Sequence, residues 1–242
     1  MTAAIIDAVL SLVYPSQCNA CPRGVEDRRF GPACGSCWAA TRLFDGTELL
    51  CGKCGAFFDV KAAPCEVFCR QCDHHEYARA FSLGIYEKAL SATVIALKTV
   101  PVLPPVVIRQ TDRLALSGAF AAFDLVVPVP LSKTREIERG FNQAAFIANA
   151  VARAAGLPMD SASLRRETDT PMHRVGMDRK ARELTVKNAF KVVRPKLIVG
   201  RKVLLVDDVF TSGATASSCA KAMAKAGAAS VGVFTVARAV MT

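Results

Sequence analysis

Val203-Leu-Leu-Val-Asp-Asp-Val-Phe-Thr-Ser-Gly-Ala-Thr215 decides the fold of this 242-residue chain. Four apolar residues without alternation read as a strand buried on both faces, the habit of a parallel sheet. Two adjacent acids follow, then a hydroxyl-rich turn around Gly213, then a helical stretch, Ala214 to Ala226, stopped by Gly227. A helix N-terminus presents unpaired backbone N–H groups and the positive end of the helix dipole. Thr211, Ser212 and Thr215 add hydroxyl donors, and Gly213 permits close backbone approach. Such a cradle fits a phosphate monoester. Asp207 and Asp208 stand at the carboxyl end of the strand, where open α/β sheets bind ligands, and can accept hydrogen bonds from sugar hydroxyls.

The flanking sequence extends the same pattern. Asp124 to Val129 (DLVVPV) and Ser230 to Ala237 (SVGVFTVA) read as further buried strands. Glu87 to Lys98, Val106 to Leu116 and Asn142 to Ala155 read as helices, the last with Asn142 as N-cap and Gly156 as stop. Thr168 to Lys187 is polar and weakly periodic, a long loop with some helix of the kind that serves as a lid. Strands alternating with helices predict a parallel α/β sheet covered on both faces.

Before residue 78 the composition changes to Cys, Gly and Pro with little periodicity, so two units are expected, 1–77 and 78–242. Ile5, Ile6, Val9, Leu10 and Val13 fit one face of a short N-terminal helix. Of ten cysteines, nine lie between Cys18 and Cys72, eight of them in four CxxC pairs: Cys18/Cys21, Cys34/Cys37, Cys51/Cys54 and Cys69/Cys72. A two-residue gap turns both thiolates of a knuckle toward one ion, and two knuckles complete the tetrahedral sulfur shell that suits Zn²⁺. With every ligand supplied by protein, the two ions would be structural, standing in for the core this segment lacks. The spacing allows sequential sites (18, 21, 34, 37 and 51, 54, 69, 72) or an interleaved cross-brace. Cys65 is left over and could replace Cys69. His74 and His75 read as surface residues and Cys219 as a buried small hydrophobe.

The run Ala3 to Tyr14 is interrupted by Asp7 and lacks a basic leader, and no stretch of about 20 apolar residues could span a bilayer. A cytoplasmic protein is expected. The net charge is +10, and Ser132 to Lys202 holds 16 Lys/Arg against 7 Asp/Glu, a balance of 16 − 7 = +9. Such a bias suits a polyanionic small molecule or nucleic acid.

The quoted loop resembles the phosphoribosyl-diphosphate signature of type I phosphoribosyltransferases. The resemblance extends along the chain to the ComF family (competence protein F, with GntX-like proteins). It is carried by the CxxC pairs, Ala96-Leu-Lys98, Val127-Pro-Val-Pro-Leu131, Arg139-Gly-Phe-Asn-Gln143 and the 206–215 segment, in that order. It implies a double zinc ribbon followed by a phosphoribosyltransferase domain that binds 5-phosphoribosyl 1-diphosphate together with Mg²⁺. By position, Asp207 and Asp208 would contact the ribose, and Thr211, Ser212, Gly213, Ala214 and Thr215 the 5-phosphate. Pro130, Leu131, Ser132 and Lys133 would form the diphosphate loop, with Arg135, Arg139 and Lys98 as cationic partners and Arg179 and Arg182 on a closing stretch. In 6-oxopurine transferases an acid precedes the phosphate turn; Thr211 stands there, which disfavours hypoxanthine or guanine as acceptor. Transfer of the phosphoribosyl group to an unidentified acceptor is the implied reaction. The alternative is a non-catalytic competence protein that binds single-stranded DNA and keeps the sugar-diphosphate site as a sensor. A homodimer, or contact with other competence proteins, is a further implication of the resemblance.

Overall fold

A computed structural model describes residues 16–58, 66–167 and 189–240. In chain order the elements are β1 (Ser16–Gln17), β2 (Gly24–Val25), α1 (Gly35–Ala39), β3 (Arg79–Ser82), α2 (Lys88–Ala96), α3 (Pro105–Leu116), β4 (Leu125–Pro128), α4 (Lys133–Arg139), α5 (Gln143–Ala155), β5 (Leu164–Arg166), β6 (Phe190–Val192), β7 (Lys202–Phe210), α6 (Ala214–Lys225) and β8 (Ser230–Arg238). Four strands form one sheet in the order β3-β8-β7-β4, and every pairing in it is parallel. Met159 adds a single parallel bridge to Val126 beyond β4.

The unbroken apolar runs are explained by two covered faces. Val126, Leu204, Val206, Phe234 and Val236 are buried on one side with Leu90 and Val94 of α2, Val107 of α3 and Ile147 and Val151 of α5. Their neighbours Val127, Val203, Leu205, Val231 and Val233 point the other way, onto Cys219, Ala220 and Met223 of α6. A pleat sends successive side chains to opposite faces, so a run buried at every position requires helices on both. Cys219 is fully buried, as a small hydrophobe would be.

The N-terminal cysteines share buried surface with the sheet. Cys18, Cys34, Cys37 and Trp38 share the first buried cluster, and Cys51, Cys54 and Cys72 the second. Each knuckle pair thus seals one face of the sheet.

Local signals match the elements. Asn142 Oδ1 accepts the Ala144 N–H at 3.0 Å and Gly156 closes α5 in the left-handed region. One expectation is extended: the strand after Lys202 does not end at Val206 but pairs with β8 as far as Phe210, carrying both acids within it. Four elements had no clear sequence signal: β3, the short helix α4, and the antiparallel pair β5 and β6, which joins Arg166 to Phe190. That pair brackets the 168–188 segment. The expected lid from Thr168 to Lys187, with Arg179 and Arg182, lies outside the described residues, as do the N-terminal helix and Cys65.

Candidate functional site

Parallel pairing aligns carboxyl ends. Pro128 stands beside Val206, and the Val129 N–H donates to the Val206 carbonyl at 2.8 Å, so the chain leaving β4 runs alongside Asp207 and Asp208. Pro130 and Leu131 are half-buried there; Ser132 is buried and caps α4, its Oγ accepting the Arg135 N–H at 3.5 Å. Lys133 is exposed, Arg135 and Arg139 half-buried. Asn142 Nδ2 donates to the Val129 carbonyl at 3.0 Å and ties the start of α5 to the same loop.

Side chains complete the connection. Arg139 Nη1 donates to Gln143 Oε1 at 2.9 Å, and Gln143 Nε2 donates to Asp208 Oδ2 at 3.4 Å. Gln143 is only 6% exposed, and a buried amide is held where both its ends find partners. A guanidinium from the first loop is thereby joined to an acid of the second. Gln143 lay in the quoted Arg139–Gln143 motif without an assigned role; its burial was invisible without the strand it faces.

The two acids diverge. Asp208 turns to α5, where it also pushes up the Tyr86 hydroxyl, second to that group's burial. Asp207 turns to the α6 face; burial, then the charge of Asp208, hold its carboxyl well above the usual carboxylate range, and Arg166 pulls the other way. Arg166 itself lies over the Phe190 ring at 5.3 Å. It was not foreseen as part of the site because only the β5–β6 pairing brings it there.

The turn after β7 is less open than its sequence implied. Thr211 is exposed and Thr215 half-buried, whereas Ser212, Gly213 and Ala214 are buried. Gly213 begins α6 at φ 79°, and no side chain caps that helix. A Cβ on Gly213 would stand 2.7 Å from His75 Cε1 and 2.8 Å from Phe210 Cζ. The absence of a side chain therefore serves packing against two rings as well as the left-handed backbone. His75 is half-buried, with Nδ1 2.6 Å from the Tyr77 hydroxyl, so it is not the surface residue expected; His74 is. Lys98 is exposed just beyond α2. One further cleft, of about 480 Å³, lies elsewhere, between Phe57, Phe58 and Arg70 of the cysteine segment and Val240.

The cysteines resolve into sequential sets. Cys18, Cys21, Cys34 and Cys37 bring four sulfurs together, and Cys51, Cys54, Cys69 and Cys72 four more, all within 4.8 Å of one another in each set. Tetrahedral ligation with Zn–S bonds of about 2.3 Å sets sulfurs roughly 3.8 Å apart. Cys18–Cys37 and Cys21–Cys34 stand at 3.8 and 3.7 Å, and Cys51–Cys72, Cys69–Cys72 and Cys54–Cys69 at 3.7, 3.5 and 3.4 Å. Backbone N–H groups of Cys34 and Cys69 donate to Cys18 and Cys51 sulfur at 3.3 Å, as knuckles stabilising thiolates do. Both sets fit a structural zinc ion, and Cys69 occupies the place for which Cys65 was the substitute.

The fold and these sites define a parallel α/β protein that carries two four-cysteine clusters. No family model matches the chain. It is 29% identical over 233 residues to "DNA utilization protein YhgH" of Escherichia coli O157:H7, covering 95% of this chain and 93% of that one. "Competence protein F" of Haemophilus influenzae is 33% identical over 132 residues, 54% of this chain and 55% of the relative. "Competence protein ComFC" of Bacillus subtilis is 32% identical over 115 residues, 47% and 44%. These likenesses agree with the resemblance to the ComF family carried by the sequence motifs. Among solved structures, a glutamine phosphoribosylpyrophosphate amidotransferase from B. subtilis superposes with TM-score 0.36 at 20% identity, over 52% of this chain and a quarter (25%) of the enzyme. Among the described residues no helix is long and apolar enough to cross a membrane.

Proposed function

We propose that this chain binds 5-phosphoribosyl 1-diphosphate at the carboxyl ends of β4 and β7 and transfers its phosphoribosyl group to an acceptor. The observation that carries this reading is the line Arg139–Gln143–Asp208, which unites the loop expected to hold diphosphate with the acids expected to hold ribose. In it, Arg139 and Arg135 offer guanidinium forks to the diphosphate, with Ser132 and Lys133 beside them in sequence and Lys98 as a further cation. Asp208 and Asp207 accept from the ribose hydroxyls, and Thr211, Thr215 and the α6 amides hold the 5-phosphate. The covered state of Gly213 leaves the flanking hydroxyls as the accessible part of that cradle.

Displacement of diphosphate from C1 passes through an oxocarbenium-like state with a departing polyanion, and cations held beside the diphosphate stabilise it. A Mg²⁺ ion would arrive on the ligand's own oxygens and supply charge neutralisation. Paired acids, one with a raised pKa, fit the approach of such a cation. In this reading residues 1–77 are the metal-bearing unit, 78–242 the transferase-type domain, and the protein works in the cytoplasm.

The test is calorimetric binding of phosphoribosyl diphosphate with Mg²⁺, and diphosphate release with candidate acceptors, by the wild type and by Asp207→Ala/Asp208→Ala. Binding that survives the double substitution unchanged overturns the assignment of the site.

A second reading is favoured by the relatives' names and by the charge: a protein that binds single-stranded DNA and uses the sugar-diphosphate site as a sensor. Phe146 is 39% exposed in the basic region, with Phe141 edge-on at 5.7 Å, whereas Phe190 is buried. Affinity for oligonucleotide that falls steeply with salt and ignores the Asp207/Asp208 substitutions would select this reading.

A further inference from the structure

The two cysteine clusters are attached to different parts of the molecule, and the difference bears on the site. Cys18, Cys21, Cys34 and Cys37 sit over the start of α2. There Thr41 Oγ1 donates to the Cys37 carbonyl at 2.7 Å and accepts the Ala89 N–H at 3.0 Å, and Lys88 Nζ reaches the Ala40 carbonyl at 3.0 Å. Nothing in that set of contacts approaches the turn after β7.

The second cluster does. Cys72 leads within five residues through His75 to Tyr77. The His75 ring lies against Gly213, the Glu76 N–H donates to Ser217 Oγ in the first turn of α6 at 3.1 Å, and the Tyr77 ring meets Phe210 edge-on at 5.8 Å. A second line comes from the opposite side. Arg238, at the end of β8, is 3% exposed. Its guanidinium donates to the Cys54 carbonyl and, at 3.4 Å, to Cys54 sulfur, and it lies over the Phe210 ring at 4.5 Å. A cation so deeply buried requires an anion, and no carboxylate is hydrogen-bonded to it among the described residues. Four thiolates around a divalent ion carry 4 − 2 = 2 net negative charges, which is the missing counter-charge. Phe210 and Gly213, the two ends of the turn, are thus each clamped by groups anchored to this one cluster.

We infer that the Cys51–Cys54–Cys69–Cys72 cluster is a working part of the ligand site. A zinc ion there sets the position of the 210–217 turn through His75 and Arg238, while the Cys18–Cys37 cluster supports the opposite face only. The inference rests on the reading of that turn as the sugar-phosphate cradle. His75 and Arg238 are then positioning residues: they hold the cradle without touching the ligand.

Hydrogen–deuterium exchange across residues 211–217 of the full, zinc-loaded chain tests this without any ligand, alongside zinc content and affinity for phosphoribosyl diphosphate with Mg²⁺. Cys69→Ser should release one zinc and accelerate exchange in the turn by about tenfold or more, because local opening follows local support. Cys21→Ser should release the other zinc, loosen residues 88–96 and leave the turn within about twofold of wild type. His75→Ala, which removes no ligating sulfur, should keep two zinc ions, accelerate exchange in the turn and weaken the probe. It decides the matter if a cysteine variant fails to fold. Turn exchange that is unchanged in Cys69→Ser and His75→Ala, or raised equally by Cys21→Ser, overturns the inference. A wild type that fails to bind the probe sinks the proposed function instead, while the exchange pattern still decides the coupling.

Discussion

Asp207 shows how one position on a strand acquires chemistry. Its side chain is forced inward by the pleat beside a second acid, and burial followed by that neighbour's charge raises its pKa. A carboxyl whose folded pKa exceeds its unfolded value of about 3.9 favours the fold while protonated, and this contribution is lost as pH climbs through the folded value. Asp207→Asn keeps the acceptor for the Asp208 N–H, at 2.9 Å from Oδ1, and cannot ionise. It should therefore stabilise the protein by a margin that grows as pH rises from about 5 toward 8 in thermal melts. A gain that does not grow would show that charge is not its cause. Gly213→Ala is the opposite case. The left-handed φ of 79° and the close approach of His75 and Phe210 should make it cost about 1–3 kcal/mol in denaturant unfolding. Wild-type stability would mean the rings have room to retreat.

At the scale of elements, the site is a meeting of three helix beginnings with two strand ends. α4 starts at the buried Ser132, α5 at Asn142 and α6 at Gly213, and each start is adjacent to the carboxyl end of β4 or β7. Asn142 makes two contacts at once, capping α5 and holding the Val129 carbonyl. Asn142→Ala should cost about 1–2 kcal/mol, the usual worth of an N-cap, and weaken phosphoribosyl diphosphate binding because Gln143 and Arg139 lose their register with Asp208. Unfolding and calorimetry on the same preparation separate the two effects; a stability loss with affinity intact would confine Asn142 to the helix. Helices α2, α3 and α5 were legible in advance because each is long and bounded by a proline, glycine or capping residue. α4 was not: seven residues, five of them charged, with one apolar side chain, Ile137, carry no periodicity, and its formation depends on the loop it closes.

For the molecule as a whole, metal and core are one system. Each cysteine cluster is built into a different buried layer of the sheet, so removal of metal should disturb the α/β unit as well as the first 77 residues. Elemental analysis should find two zinc ions per chain, and stripping them with a strong chelator should lower the melting midpoint and loosen the whole cooperative unit. A chain that keeps its melting profile without zinc would show that the sheet holds itself together. A change of composition at residue 78 was legible; the sharing of buried surface across it was not. Composition records what a segment contains, whereas burial depends on which face it meets.

Hydrophobic runs, knuckle spacing and the acid–hydroxyl loop after β7 were written in consecutive residues, because strands, metal knuckles and helix starts are local events governed by neighbours a few positions apart. The partnership of Gln143 with Asp208, the approach of Arg166 to Asp207 and the seat of His75 on Gly213 join residues 65, 41 and 138 positions apart (208 − 143, 207 − 166, 213 − 75). Strand order and pleat brought those pairs together, and no pattern along the chain encodes which distant side chains a sheet will place on the same face.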